Sequence, residues 1–216
     1  LFTYLPSSDK MKFFAVLAIS CIALASAELQ CEHKQPNVPK EWIDMGKSCV
    51  KKVRDQVTEE LKASMQYMAM GAHFARDSVN RPGFAKLFFD AATEERNHAI
   101  EFISYLLMRG ELTSDVSNLI KRNLVPKKVS WASGVEALRD ALKLEASVTK
   151  KIRSIIKTCE EDPAFNDYHL VDYLASDFLT EQYKGQRDLA GKSSTLDKMM
   201  DKHGVLGEFL FDKQLL

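Results

Sequence analysis

The sequence has little of what interrupts a helix. Among its 216 residues there are only 9 glycines and 6 prolines, the residues that most often punctuate secondary structure. No useful length of it alternates apolar and polar residues as a half-buried strand does. These absences favour long helices and argue against a β-sheet protein. Net charge is also lacking, because 30 Lys and Arg balance 30 Asp and Glu. We therefore expect no nucleic acid partner, since phosphate binding requires a basic surface.

A long apolar run lies near the N-terminus. Met11 and Lys12 precede it, and it ends in the small-residue sequence Ala-Ser-Ala at 25–27, as a secretory signal peptide does. The signal predicts a protein of the secretory pathway or the extracellular space. After it, no run reaches about 18 apolar residues, so we expect no membrane span. We divide the chain into translated leader sequence (1–10), signal peptide (11–27) and one mature domain (28–216).

The remaining glycines and prolines mark the ends of four long helices. The expected ranges are 41–76, 82–109, 133–161 and 167–202, with a short C-terminal helix at the sequence EFLFDK. Pro82 suits the first turn of the second helix, and Gly110 suits the C-terminal cap that follows it. The segment after Gly110 contains Pro126 and is far longer than the connections of about two to eight residues usual in bundles. The pattern predicts an all-α antiparallel four-helix bundle with one long crossover and a short fifth helix.

Polar side chains occur at a comparable level in all four helices. They are Glu60 and Tyr67 in the first, Glu94, Glu95 and His98 in the second, Glu145 in the third, and Glu181 and Gln182 in the fourth. Spacings of three and four residues place Glu94 and Glu95 on the same helix face as His98. A buried, unpaired carboxylate is strongly unfavourable, and a shared cation removes that penalty. The convergence therefore predicts a metal site.

A Glu-x-x-His pair facing glutamates from other helices is the ligand pattern of di-iron carboxylate bundles. One metal would bind Glu60, Glu95 and His98. The other would bind Glu95, as a bridge, and Glu145, with weak help from Gln182. Because the fourth helix lacks a second Glu-x-x-His, this asymmetric site favours oxidation and release of iron over a permanently held cofactor.

Several of these residues also have a structural interpretation. A single Glu-x-x-His on a helix usually lies on a solvated face. Glu60 could pair with Lys51 or Lys62, and Glu181 could be a residue that contacts the metal ligands or a structural residue. For Glu94 the structural and functional interpretations have equal weight. The agreement of four helices favours the metal site.

The mature sequence resembles a ferritin heavy chain along almost its whole length. The segments that carry the resemblance are EELKASMQYMAM, FAKLFFDAATEERNHA, ALKLEASV, YLASDFLTEQYK and GEFLFDK. The signal peptide and the extra cysteines make the chain similar to the secreted ferritins of insects. The resemblance implies ferroxidase residues at Glu60, Glu95, His98, Glu145 and Gln182, with Glu94 as a further metal contact and Tyr67 beside them. Tyr67 would donate a hydrogen bond or an electron, or be a core tyrosine bonded to a carboxylate.

The same resemblance implies a hollow shell of 24 subunits that takes up Fe(II), oxidises it with O2 and stores ferric mineral. Iron is the cofactor it implies, with no organic cofactor. Asn97 and Ile100 stand where the family has mineral-nucleating glutamates, so we expect a ferritin light-type chain as the co-assembling partner. At the three-fold channel through which iron enters, Asp172 matches the family pattern and Ala175 does not. His169, Glu160, Glu161 and Asp162 are near enough to compensate, and the sequence does not distinguish which of them line the channel.

Two other functions compete with iron oxidation and storage. A secreted helical-bundle carrier or signalling protein without catalysis would also have a long crossover, but it has no reason to bring carboxylates into its core. A di-iron oxygenase is disfavoured by the missing second Glu-x-x-His.

Three cysteines remain after signal cleavage, namely Cys31, Cys49 and Cys159. An odd number in a secreted chain predicts one intrachain bridge and one intermolecular thiol. The crossover makes the second and third helices run in the same direction, so Cys49 and Cys159 lie at the same end of the bundle. Bridging requires Cα atoms within about 7 Å. We predict a Cys49–Cys159 bridge, which leaves Cys31 to join another subunit, the light-type chain.

Overall fold

The computed structural model describes residues 37–112, 116, 118–120, 123–163 and 165–216. Within these ranges the chain forms helices and turns without a strand. The helices are α1 (Lys47–Ala75), α2 (Pro82–Met108), α3 (Gly134–Glu160), α4 (168–203) and α5 (Val205–Gln214). The predicted all-α fold of four long helices and a short fifth is confirmed. The leader, the signal peptide and Cys31 lie outside the described residues.

The connection between α2 and α3 runs along α1 toward the C-terminal end of that helix. Partway up α1, Thr58 donates a hydrogen bond to the carbonyl of Leu119 at 3.3 Å. Near the end of α1, the rings of His73 and Trp131 meet edge to face with centroids 5.4 Å apart. α2 and α3 therefore run in the same direction, and α1 packs against both of them. In the part of the chain that the structure describes, no helix is long and apolar enough to cross a membrane.

α1 begins later than the sequence predicts, at Lys47 rather than near residue 41. Gly46 precedes it in an extended conformation, with φ −63° and ψ 137°. A Cβ on Gly46 would lie 2.4 Å from the Asp162 carboxylate, so the residue before α1 packs closely against the α3–α4 connection. The other long helices begin and end within two residues of the predicted positions. Ser133, for example, caps α3 by accepting the N–H of Glu136 at 3.2 Å.

α4 contains a π-helical turn that residue spacing does not predict. It starts as Tyr168–Tyr173, passes through the π-helical turn at Leu174–Phe178 and continues as Leu179–His203. Such a turn acts as a one-residue insertion, so it rotates the rest of the helix by about 100° relative to an uninterrupted α-helix. Gln182 is buried after this rotation. A pattern of 3.6-residue spacing does not mark a single wider turn, which is why the sequence predicts an uninterrupted helix here.

The hydrophobic core consists of two clusters with polar side chains between them. One cluster, which we call the lower cluster, includes Cys49, Phe102 and Ile152. The other, the upper cluster, includes Phe74 and Phe88. All four long helices contribute residues to both clusters. Between the two clusters, each helix carries buried polar side chains, among them Glu60, Glu95, Glu145 and Gln182. The bundle therefore brings these four side chains to one level.

α5 is anchored by two carboxylates that cap other helices. Glu208 accepts the N–H of Gly134 at 2.9 Å, and Asp212 accepts the N–H of Phe84 at 3.0 Å. Each carboxylate satisfies a first-turn donor that a helix by itself leaves unpaired. A Cβ on Gly83 would lie 1.9 Å from the backbone oxygen of Asp212, so this close approach requires glycine.

Candidate metal centre

A buried triad of one histidine and two carboxylates lies where α1 meets α2. Glu60, Glu95 and His98 each offer a ligand atom, and these atoms all lie within 4.8 Å of one another. The three residues are only 0%, 3% and 6% exposed. Glu95 and His98 reach the same point because residues three apart share a helix face, and His98 Nδ1 lies 3.8 Å from Glu95 Oε2. Imidazole and carboxylate together are a donor set that suits iron.

Glu60 receives a hydrogen bond on one oxygen. Gln56, one turn earlier on α1, donates from Nε2 to Glu60 Oε1 at 2.7 Å. The other oxygen, Oε2, is buried with no hydrogen-bond partner among the described residues, and so is Oε2 of Glu95. Because buried polar atoms are normally paired, two such oxygens in one triad mark positions suited to a cation.

Neither Lys51 nor Lys62 is the partner of the buried Glu60 carboxylate. Lys51 pairs with Asp55 at 3.0 Å, and Lys62 pairs with Glu59 at 3.0 Å. The interpretation of Glu60 as the partner of one of these lysines is therefore wrong.

A second group of side chains surrounds Glu145 on α3. The Tyr67 hydroxyl donates to Glu145 Oε1, and Gln182 donates from Nε2 to Glu145 Oε2 at 3.0 Å. Thr149 in turn donates from its hydroxyl to Gln182 Oε1 at 2.7 Å. Glu145 thus has a donor on each oxygen, and Gln182 presents its nitrogen to this carboxylate.

Burial and mutual repulsion make these acidic groups hard to ionise without a counter-charge. The pKa of Glu60 is raised well above its ordinary value, first by burial and then by the charge of Glu95. Burial also raises the pKa of Glu95, and the charge of Glu145 adds to the effect. The pKa of Tyr67 is raised by burial and then by Glu145, so the hydroxyl keeps its proton. A cation between the carboxylates offsets both the burial and the repulsion.

His98 also faces a second, more exposed pair of carboxylates. Glu94 and Glu181 join it in a group whose ligand atoms lie within 4.8 Å of one another, and His98 Nε2 is 3.3 Å from Glu181 Oε2. Glu94, Glu95, His98 and Glu181 line one cavity of about 170 Å³ between α2 and α4. Glu181 was expected at the level of the other polar residues but not as a ligand of either metal, because its approach to His98 depends on how the two helices are rotated against each other.

The residues predicted for iron uptake lie on another part of α4. His169 and Asp172 are exposed on its first turns. The His169 ring meets the Tyr105 hydroxyl, with Nδ1 2.8 Å from the oxygen. The contacts described for His169 and Asp172 include no member of the buried triad, so their role at a channel stays a prediction.

The predicted Cys49–Cys159 bridge is present, with Cα atoms 4.9 Å apart. It joins the first turn of α1 to the last turn of α3, which agrees with the direction of the helices deduced from the long crossover. The predicted bond of Cys31 to another subunit falls outside the described residues and stays a prediction.

Comparison with known proteins shows similarity along most of the chain. The family model for the ferritin-like domain matches residues 50–199. The chain is 60% identical over 207 residues to the ferritin heavy chain of Papilio xuthus, covering 96% of this chain and 98% of that relative. It is 53% identical over 201 residues to the ferritin heavy chain of Drosophila melanogaster, covering 93% and 97%. The crystal structure of Trichoplusia ni secreted ferritin matches with a TM-score of 0.83 and 62% identity, over 86% of this chain and 97% of that one.

Proposed function

The chain belongs to the ferritin family, and from that premise we propose that it is the iron-oxidising subunit of a secreted ferritin. It binds Fe(II) at the buried centre, passes electrons to O2 and delivers ferric iron to a mineral inside a multi-subunit shell. The observation that carries the proposal is the buried triad of Glu60, Glu95 and His98. Glu60 and Glu95 each keep one oxygen without a partner among the described residues.

Two Fe(II) ions are the substrates of this centre. The first takes Glu60, Glu95 and His98 as ligands. The second shares Glu95 with the first and is held by Glu145, whose two oxygens already receive hydrogen bonds. Binding at this second position is therefore weaker. The hard carboxylates of both positions favour Fe(III) as it forms.

Electron counting explains why two positions are useful. Each Fe(II) gives up one electron, so a bound pair supplies the two electrons that reduce O2, together with two protons, to hydrogen peroxide. Adjacent ions deliver both electrons in one place, so no one-electron oxygen radical has to leave the protein. The protonated Tyr67 holds Glu145 in position for this step through its hydrogen bond.

The cavity between α2 and α4 is the route by which Fe(II) reaches the triad. Its lining includes the exposed carboxylates Glu94 and Glu181, which attract a cation, and the buried Glu95. His98 faces both groups of carboxylates. An ion can therefore pass from the exposed pair to the buried triad while it stays close to the same imidazole ring.

A ferritin light-type chain is the proposed partner in a hetero-oligomer of 24 subunits. On α2, Asn97 is exposed and Ile100 is 52% exposed, and neither side chain offers a carboxylate for ferric nucleation. A second subunit type would supply those carboxylates. Cys31 is the residue proposed to bond the two chains in the oxidising secretory pathway.

The carrier or signalling function and the di-iron oxygenase function each leave part of the buried site unexplained. A carrier or signalling bundle gains nothing from unpaired carboxylate oxygens in its core. A di-iron oxygenase needs a strongly held pair of metals, whereas the second position here has only Glu95 and a hydrogen-bonded Glu145.

Aerobic addition of Fe(II) to the purified protein tests the proposal. We expect ferric product to form rapidly, seen as rising near-ultraviolet absorbance, in a particle that sediments as a large shell. A carrier or signalling protein would neither oxidise iron nor form a shell, and an oxygenase would retain a small fixed amount of iron without a mineral. Either of these outcomes would overturn the proposal.

A further inference from the structure

Gln182 is held by a chain of hydrogen bonds that runs in one direction. Gln186 donates from Nε2 to the Thr149 hydroxyl oxygen at 2.7 Å. Thr149 donates to Gln182 Oε1 at 2.7 Å, and Gln182 donates from Nε2 to Glu145 Oε2 at 3.0 Å. Thr149, Gln182 and Glu145 are buried, at 5%, 5% and 8% exposed. The chain therefore connects a half-buried amide of α4 to a proposed metal ligand on α3.

Each member of this chain restricts the orientation of the next. The Thr149 oxygen accepts from Gln186, and its single hydrogen is directed to Gln182. An amide carries its acceptor oxygen on one side and its donor nitrogen on the other, so an oxygen facing Thr149 puts the nitrogen against Glu145. The reverse orientation would place the Gln182 oxygen against a carboxylate oxygen, which is an unfavourable meeting of two acceptors in a buried site.

We propose that Thr149, supported by Gln186, is a positioning residue that fixes the Gln182 amide with its nitrogen toward Glu145. The inference rests on the proposed function and makes Gln182 a hydrogen-bond donor to Glu145 rather than an oxygen ligand of iron. The second iron then depends on Glu95 and on a carboxylate whose charge is partly taken up by hydrogen bonds. Weak binding at this position suits a site that must release Fe(III) after each turnover.

Thr149→Val tests the assignment because it removes the hydroxyl and keeps the shape of the side chain. Gln182 is then free to turn its oxygen toward the metal, and Glu145 loses a fixed donor. We expect the second Co(II) ion to bind about 10-fold more tightly, which is the size of change, with the opposite sign, that residues orienting metal ligands usually produce when they are removed. Calorimetric titration of the purified protein with Co(II), without O2, measures this. With Fe(II) and O2, later turnovers should slow relative to the first, because Fe(III) leaves more slowly.

Three further variants separate positioning from simple structural damage. Thr149→Ser restores the hydroxyl and should restore the parental Co(II) affinity. Thr158→Val is a matched control on α3, because the Thr158 hydroxyl donates to the carbonyl of Ser154 in its own helix; both affinities should stay unchanged. Gln186→Leu removes the first donor of the chain and should tighten the second site by a smaller factor. It provides the same test if Thr149→Val does not fold.

The direction in which the affinity for the second Co(II) ion changes decides whether Gln182 is a hydrogen-bond donor to Glu145 or a metal ligand. Weaker binding of the second Co(II) ion to Thr149→Val would mean that the Gln182 oxygen is already a ligand, and it would overturn the inference. Unchanged binding in both Thr149→Val and Gln186→Leu would also overturn it. Failure of the parental protein to bind two Co(II) ions or to oxidise Fe(II) would instead overturn the proposed function.

Discussion

Tyr67 and Glu145 are joined across the core by a hydrogen bond from the tyrosine hydroxyl to one oxygen of the carboxylate. Tyr67 belongs to the upper cluster, where its ring stacks on Phe88 with centroids 6.2 Å apart. Burial, followed by the charge of Glu145, raises the pKa of Tyr67, so the hydroxyl remains a donor at neutral pH. Aromatic packing therefore fixes the position of a carboxylate at the proposed iron site.

Tyr67→Phe keeps the ring and removes the donor. The metal-free variant should lose about 1–3 kcal/mol of stability, because a buried oxygen of Glu145 is left unpaired. The loss of stability should be smaller when Co(II) is bound, because the metal then binds the Glu145 oxygen that has lost its donor. Fe(II) oxidation by the variant should be slower. Unfolding measured with and without Co(II) checks this, with the exposed Tyr183→Phe as control. An equal loss in both conditions would show that the metal does not take over that oxygen of Glu145.

Glu95→Ala combined with His98→Gly should abolish rapid Fe(II) oxidation while the shell still assembles. Both side chains belong to the buried triad, whereas the proposed shell would assemble through exposed surfaces. The pair Glu101→Ala and Ser104→Gly is a matched control, because these residues have the same spacing on α2 and are exposed. Stopped-flow absorbance and sedimentation provide the two measurements. Oxidation at the parental rate in the first double variant would show that the site is misassigned.

Glu60→Gln should stabilise the metal-free protein at neutral pH. The folded-state pKa of Glu60 is raised above the value of about 4.3 for an unfolded glutamate. Ionisation therefore disfavours the folded state, and stability falls as the pH rises from the unfolded pKa through the folded one. Glutamine does not ionise, so the variant should melt at a higher temperature than the parent at pH 7. The difference should disappear near pH 4. Thermal unfolding in the presence of a chelator measures both.

The neighbouring variant Glu59→Gln should have the opposite effect. Burial raises the pKa of Glu59, but hydrogen bonds from Lys151 and Lys62 outweigh it, and the pKa is lowered. Its charge therefore stabilises the protein above the unfolded pKa, and that contribution is lost as the pH falls through the folded one. Because Glu59 and its lysine partners are partly exposed, each ion pair contributes at most about 1 kcal/mol to the free energy of unfolding. If both variants changed the unfolding temperature in the same direction, the opposite pKa shifts of Glu59 and Glu60 would be contradicted. The argument that Glu60 needs a cation would then lose its support.

The disulfide should contribute strongly to stability. Cys49 and Cys159 are separated by 110 residues, and closing a loop of that length stabilises by about 4–5 kcal/mol on the loop-entropy model. Cys49→Ser with Cys159→Ser should lower the unfolding temperature accordingly.

Peptide mapping without reduction should recover a Cys49–Cys159 peptide and leave Cys31 bonded to another chain. A Cys31–Cys49 or Cys31–Cys159 peptide would contradict the pairing, and a monomer in a non-reducing denaturing gel would contradict the intersubunit bond.

The native shell should contain a second, light-type polypeptide. Asn97 and Ile100 offer no carboxylates at an exposed part of α2, so another subunit is expected to supply nucleating groups. Mass analysis of shells purified from their source should find two polypeptides. A shell built only of this chain and filled with mineral would contradict the prediction.

Spacing along single helices allowed much of the candidate centre to be predicted. Glu95 and His98 were expected on one face because an α-helix rises about 1.5 Å per residue with 3.6 residues per turn, and the structure places both in the triad. The pairing of Cys49 with Cys159 was expected from helix length and one long crossover, since these set the direction of each helix. The start of α1 shows the limit: Gly46 is extended before Lys47 and lies close to Asp162 of the α3–α4 connection, and local helix propensity contains no information about that approach.

The sequence by itself determined the helices, their directions and the side chains that share a face, because the geometry of one helix sets the spacing and angle of its own residues. Only the tertiary structure decided which side chains meet across the bundle. The approach of Glu181 to His98, the orientation of Gln182 between Thr149 and Glu145, and the π-helical turn that rotates α4 were not predictable from spacing. The reason is physical: the rotation of one helix against its neighbours is set by how their side chains interdigitate, and that depends on all four helices together.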